Sequence, residues 1–210
     1  MHIVDGALSA PVVITGGVIA AGGIALGLRA LTLERIPAAG VLSATFFVAA
    51  LIHVPIGPSS VHLIMNGLAG LVLGWAAFPA LFVGLLLQAV FFGFGGVTVL
   101  GVNTVNIALP AVLVGLMFRG MVTAPNVRVA AFGGLLAGAS AIIMTALIVA
   151  LTLWLSGDAF IPAAKLVVLA HLPVAVIEGV ICAAAVILIH RVKPDLFGVM
   201  GPAPNAARPA

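Results

Sequence analysis

Seven apolar runs recur between breakers along this 210-residue chain, each close to the twenty residues that a helix needs to cross the hydrocarbon of a bilayer. They cover approximately 10–28, 38–55, 60–77, 78–95, 104–122, 128–155 and 165–190. Pro55–Gly57–Pro58, Ala124–Pro125–Asn126 and Ser156–Gly157–Asp158 separate neighbouring runs as turns, whereas apolar sequence continues straight through Phe78–Pro79. Spans of a membrane barrel would be short and alternating, a pattern not found in these runs. With 64% hydrophobic and 6% charged residues, the chain cannot wet the outside of a globule, so lipid is its solvent. The expected fold is an all-α polytopic membrane protein of about seven transmembrane helices. It forms one helical domain over 1–193, followed by a tail over 194–210 that carries Pro194, Pro202, Pro204 and Pro209.

The same composition excludes a soluble enzyme, a disordered regulator and a nucleic-acid partner, since the net charge of +3 marks no basic domain. Cys182 is the sole cysteine, which leaves neither an internal disulfide nor a Cys-rich metal site. The distribution of basic residues orients the bundle. With the N-terminus outside, Arg29, Arg35, Arg119, Arg128, Arg191, Lys193 and Arg208 collect on the cytoplasmic side and only Lys165 lies outside. The tail is then cytoplasmic. The only charge before the first run is Asp5, unlike the basic start of a cleaved signal peptide, so the first span is expected to stay. The bulk of His2 should also keep the initiator Met1 in place. Gly17, Ala21 and Ala25 form a small-residue stripe on that span, for packing inside the chain or against a subunit.

Imidazoles and carboxylates inside a membrane each need a reason. His171 and Glu178 lie seven residues apart on nearly one face of the last span, with Pro173 between them. They read either as a proton relay or ion site, or as polar groups satisfied structurally by neighbouring helices. His190 beside Arg191 reads as an interfacial residue. His53 and His62 flank the outer loop, at the same depth as the N-terminus. Met1–His2 is the sharpest feature. The terminal amine, the amide nitrogen of His2 and its imidazole can close fused five- and six-membered chelate rings around one ion. One further imidazole can fill the fourth corner of the square. Square-planar nitrogen coordination suits Ni(II) or Cu(II) and is accessible to Co(II), while it disfavours tetrahedral Zn(II) and hard Mg(II) or Ca(II).

The opening Met1-His2-Ile3-Val4-Asp5-Gly6 resembles the start of CbiM/NikM-type proteins, the cobalt- and nickel-specific substrate-binding (S) components of energy-coupling factor (ECF) transporters. His53-Val54-Pro55-Ile56-Gly57-Pro58-Ser59-Ser60-Val61-His62-Leu63 is similar to that family's outer loop. Gly95-Gly96-Val97-Thr98-Val99-Leu100-Gly101-Val102-Asn103 is similar to its Gly-Gly…Gly-x-Asn loop, and His171-Leu172-Pro173 with Glu178-Gly179 to its last helix. The resemblance spans residues 1–190. It implies that segment 1–9 folds back into the bundle and that the ligands are the Met1 amine, the His2 amide and imidazole, and the His62 imidazole. Asn103 would lie behind these ligands in the covering loop, and His53 would be a ligand, a gate or packing. Two departures are visible: Phe94 stands where many relatives have His, and Ser59-Ser60-Val61-His62 stands where the cobalt loop often reads Ser-Cys-Ser-His.

The resemblance thus implies a non-enzymatic component, multi-pass in a bacterial inner (cell) membrane, that captures Co(II), slightly preferred, or Ni(II) as substrate. The chain has no phosphate loop of the G-x-x-x-x-G-K-[ST] type and is expected to bind no ATP. Its implied partners are two ATP-binding ECF subunits and a transmembrane coupling (T) subunit, with or without a small accessory membrane subunit. The rival expectation is a proton-coupled secondary metal transporter using His171 and Glu178.

Overall fold

The computed structural model describes residues 2–51, 53–56 and 59–198. In chain order the elements are α1 (Ala10–Ala30), α2 (Ile36–Ala49), β1 (His53–Ile56), β2 (Ser59–His62), α3 (Asn66–Leu73), α4 (Ala77–Phe92), α5 (Leu100–Val122), α6 (Val127–Ser156), α7 (Ile161–Val192) and the single turn α8 (Asp195–Gly198). Prolines open α1, α2 and α7, in first turns where a missing N–H forfeits no intrahelical bond. The side-chain oxygen of Asn126 caps α6 by accepting the N–H of Arg128 at 2.9 Å.

Five helical stretches among the described residues are long and apolar enough to cross a membrane: Ala10–Ala30, Asn66–Phe92, Leu100–Val122, Val127–Ser156 and Asp158–Val192. Contacts divide the second of these into two passes. Asn66 donates to the Ile107 carbonyl and Gly70 lies against Ala111, so α3 runs parallel to α5. Gln88 of α4 and Asn103 of α5 meet at neighbouring N-terminal residues, so α4 runs antiparallel to α5. The reversal falls at Gly74, whose φ of 55° and ψ of −126° lie outside the range an L side chain readily adopts. The break is therefore slightly before the Phe78–Pro79 boundary expected from sequence. With α2 running parallel to α4, as Gly84 on Ser43 and Gln88 on Phe47 require, seven passes alternate in direction.

The hairpin takes up the facing ends of the expected spans 38–55 and 60–77. β1 pairs antiparallel with β2, placing His53 opposite His62. The reason is local: Pro55 lacks the N–H that a continuing helix would need, whereas strand pairing satisfies the backbone of the residues around it. As a result α2 has only 14 residues and α3 only eight, all eight of them buried. The bundle is helical as expected, with this one strand pair among the described residues.

Glycines set the closest approaches. Gly134 and Gly138 of α6 and Gly179 of α7 bring those two helices together, with no room for a β-carbon at Gly138 beside the Glu178 carbonyl. On α1 the inward face is Gly16, Ala20, Gly23 and Gly27. The stripe read from sequence lies beside it: Gly17 touches Gly101 at its edge, while Ala21 and Ala25 are exposed. Lys165 sits at the hairpin end of the bundle, and Arg29, Arg35, Arg119, Arg128, Arg191 and Lys193 sit at the opposite end. There His190 Nε2 donates to the Ala124 carbonyl at 3.0 Å. Phe197 of α8 is buried at that end too; residues 199–210, including Arg208 and three of the tail prolines, lie outside the described residues.

Candidate metal site

Residues 2–9 precede α1 and enter the bundle as an irregular arm that turns at Asp5–Gly6. Ile3 is wholly buried and His2 nearly so. Asn103 clamps the arm from both sides, its Oδ1 accepting the Ile3 N–H at 3.0 Å and its Nδ2 donating to the Ile3 carbonyl at 3.1 Å. Two residues on, the Asp5 N–H donates to the Gly95 carbonyl at 2.9 Å. The Asp5 carboxylate accepts from the Thr98 hydroxyl and the Val99 N–H at the start of α5, where the helix dipole favours an anion. The loop 93–99 can press this closely because Gly95 and Gly96 adopt φ of 78° and 133°. A β-carbon on Gly96 would collide with the Asp5 carboxylate.

Gln88 sets the chemistry of His2. Its amide nitrogen faces the Phe46 and Phe47 carbonyls, which closes the C-terminal end of α2 and aims Oε1 at the arm. His2 Nε2 lies 2.6 Å from that oxygen. Only an N–H can donate to a carbonyl oxygen, so the proton is on Nε2 and Nδ1 keeps its lone pair. Nδ1 is the ring nitrogen that closes a six-membered chelate with the residue's own amide nitrogen. Nothing in the sequence reading singled out Gln88. The available signal was an uncharged polar side chain inside an apolar run, which needs a partner.

His62 ends β2 in the complementary tautomer. Its Nδ1 donates to the Leu63 carbonyl at 2.8 Å, which leaves the lone pair on Nε2, a buried nitrogen with no hydrogen-bond partner. The rings of His2 and His62 stack with centroids 4.7 Å apart and planes 23° from parallel. Burial pushes the His2 imidazole down to about 3 and holds His62 well below the usual imidazole range. Both rings are therefore neutral at physiological pH, as ligands must be.

His53 stands apart. Its ring meets Phe94 edge-on at 4.3 Å, and Phe94 in turn lies 5.9 Å from His2. These residues, with Val4, Ser59, Ser60, Gly93 and Gly95, line a small cavity of about 130 Å³ over the arm. Among the described residues no three His, Cys, Asp or Glu side chains converge as a metal set. Met1, the expected amine ligand, lies outside the described residues. His171 and Glu178 are both buried but share no hydrogen bond with one another. His171 Nδ1 donates to the Val167 carbonyl at 2.6 Å and its Nε2 has no partner. Glu178 Oε1 accepts the N–H groups of Ile64 and Met65.

Residues 2–196 match the family model for CbiM, the cobalt uptake substrate-specific transmembrane region. The chain belongs to the CbiM family. This CbiM-family chain is 39% identical over 202 residues to a putative metal transport protein of Haemophilus influenzae, covering 94% of this chain and 97% of that one. It is 32% identical to the cobalt transport protein CbiM of Geobacter sulfurreducens, covering 96% of this chain and 62% of the relative. Identity to the fused nickel transport protein NikMN of Rhodobacter capsulatus is 40% over 107 residues, or 50% of this chain and 30% of the relative. A crystal structure of a truncated transition metal transporter shares the fold with a TM-score of 0.70 at 25% identity, covering 91% of this chain and 99% of that one. The CbiM resemblance read from the N-terminal, hairpin and last-helix motifs thus extends over nearly the whole chain, which is a multi-pass membrane component of a transport family.

Proposed function

We propose that this chain is the substrate-capturing component of an energy-coupling factor importer for Co(II) or Ni(II), with the hairpin end facing outward. The observation that carries the reading is the pair of stacked imidazoles in opposite tautomers, His2 with its lone pair on Nδ1 and His62 on Nε2. The Met1 amine, the His2 amide and His2 Nδ1 supply three donors in one chelate, and His62 Nε2 supplies the fourth. The ion is substrate: it loses water as the chelate closes, and the partners then drive its passage. Two ATP-binding subunits supply that energy through a transmembrane coupling subunit, with or without a small accessory membrane subunit beside them. Cobalt is the preferred ion because the family description names it, although relatives carry nickel names too.

Metal content of the purified chain under competing Co(II) and Ni(II) tests the reading. Acetylating the terminal amine, or inserting a residue between Met1 and His2, is expected to abolish binding. Intact affinity after either change would overturn the chelate. Because closing the chelate releases the amide proton, binding weakens as pH falls.

A further inference from the structure

The sequence reading leaves Glu178 open between a relay and a structural role, yet its contacts lead straight to the ion site. Glu178 lies near the middle of α7, at a depth set by the close contact of its own carbonyl with Gly138 of α6. Its Oε1 accepts the Ile64 N–H, and the same oxygen accepts the Met65 N–H at 2.9 Å. Met65 has φ 58° and ψ 18°, the only positive φ among the described non-glycine residues, and it opens the half-helix α3. A carboxylate at that start suits the helix dipole and satisfies N–H groups that no helix turn can reach.

The Ile64 N–H and the Leu63 carbonyl belong to one planar peptide unit, so the orientation of one fixes the other. That carbonyl accepts His62 Nδ1–H at 2.8 Å. An unbroken line therefore runs from the Glu178 carboxylate through one peptide plane to the His62 imidazole and its bare Nε2. Metal-bound histidines ordinarily donate their second ring nitrogen to a carboxylate or carbonyl that sets tautomer and ring direction. Here the two acceptors are joined in series.

We infer that Glu178 is a positioning residue for the ion site: it aims His62 Nε2 through the Leu63–Ile64 peptide and carries no proton or ion itself. This rests on the proposed capture of Co(II) or Ni(II) at His2 and His62. The role requires an acceptor oxygen at full reach and no charge. In detergent-purified full-length protein, binding of Ni(II) and Co(II) is measured by titration for wild type, Glu178→Gln, Glu178→Asp and Glu178→Ala. The ligand-field spectrum of the bound ion is recorded with each. Glu178→Gln keeps the oxygen and is expected to bind within about threefold of wild type. Glu178→Asp withdraws the oxygen by one methylene and should weaken binding about ten- to a hundredfold with a shifted spectrum, as should Glu178→Ala. On a His62→Ala background, Glu178→Asp is expected to cost nothing further.

A crippled Glu178→Gln beside a normal Glu178→Asp would overturn the inference in favour of charge or proton transfer, as would a full additional loss on the His62→Ala background. Should Glu178→Ala fail to fold, the Gln and Asp pair decides the question alone. Wild type that binds neither ion would instead overturn the capture reading on which this one stands.

Discussion

Two irregular segments, the N-terminal arm and the 53–62 hairpin, each deliver one imidazole to the same point, and they are held by opposite means. The arm has no ladder of its own. It depends on side chains of α4 and α5, with Gln88 on the His2 ring, Asn103 on both backbone groups of Ile3, and loop 93–99 against Asp5. The hairpin pairs its own backbone and then hands over to α3, where Glu178 of α7 holds the Ile64 and Met65 N–H groups. The difference teaches that the site has two independent supports, so damage to one should leave the geometry of the other intact.

Losing an imidazole is the largest break. His62→Ala should weaken Co(II) or Ni(II) binding by more than about a hundredfold, above the range for outer supports, while His2 Nε2 stays bonded to Gln88. Isothermal titration gives the first result and imidazole nitrogen NMR the second. Gln88→Leu should cost about ten- to a hundredfold, because the His2 proton is then free to occupy the nitrogen that must ligate. The same NMR measurement should show mixed tautomers at His2 and an unchanged His62. Asn103→Ala leaves the N–H and carbonyl of Ile3 buried and unpaired, at about 1–3 kcal/mol for each group. That loss appears as a lower melting temperature in detergent and as faster proteolysis of residues ahead of α1.

Acid gives the gentlest test and strikes both supports together. Above pH 6.5 neither ring is protonated, folded or unfolded, so these residues add no pH dependence. As pH falls below 6.5 the unfolded chain takes up protons that the folded chain refuses down to about 3 for His2. Stability should therefore drop by up to about 1.4 kcal/mol per pH unit for each histidine. Thermal melts between pH 7.5 and 5 should show the slope, and His2→Phe should reduce it.

Much of the bundle was legible in the sequence because apolar length is a direct physical demand of the bilayer. The seven runs and the basic end follow from that demand. The chemistry of nitrogen donors marks out Met1–His2, whereas His62 rather than His53 is named only by the family resemblance. The hairpin was not legible, since a short run such as His53–His62 can continue a helix or leave it, and Pro55 alone does not say which. The turn at Gly74 was hidden for a related reason. Both sides of it are buried and apolar, so only backbone direction distinguishes one pass from two. Gln88 was not legible and the role of Glu178 stayed open, because their partners are backbone groups and a ring 41 to 114 residues away. On α1 the face packed inside the chain is Gly16–Ala20, one residue from the Gly17–Ala21 stripe, because small residues occur on both.

The arm also carries a consequence for biosynthesis. His2 and Ile3 leave the ribosome before any residue that will hold them, and their anchors Gln88, Gly95 and Asn103 follow far behind. The support for His62 comes later still, at Glu178. At about 20 residues per second, roughly nine seconds pass before that carboxylate has been made. Throughout that interval the arm must wait beside a partly inserted bundle. The ion pocket is thus among the last features to close.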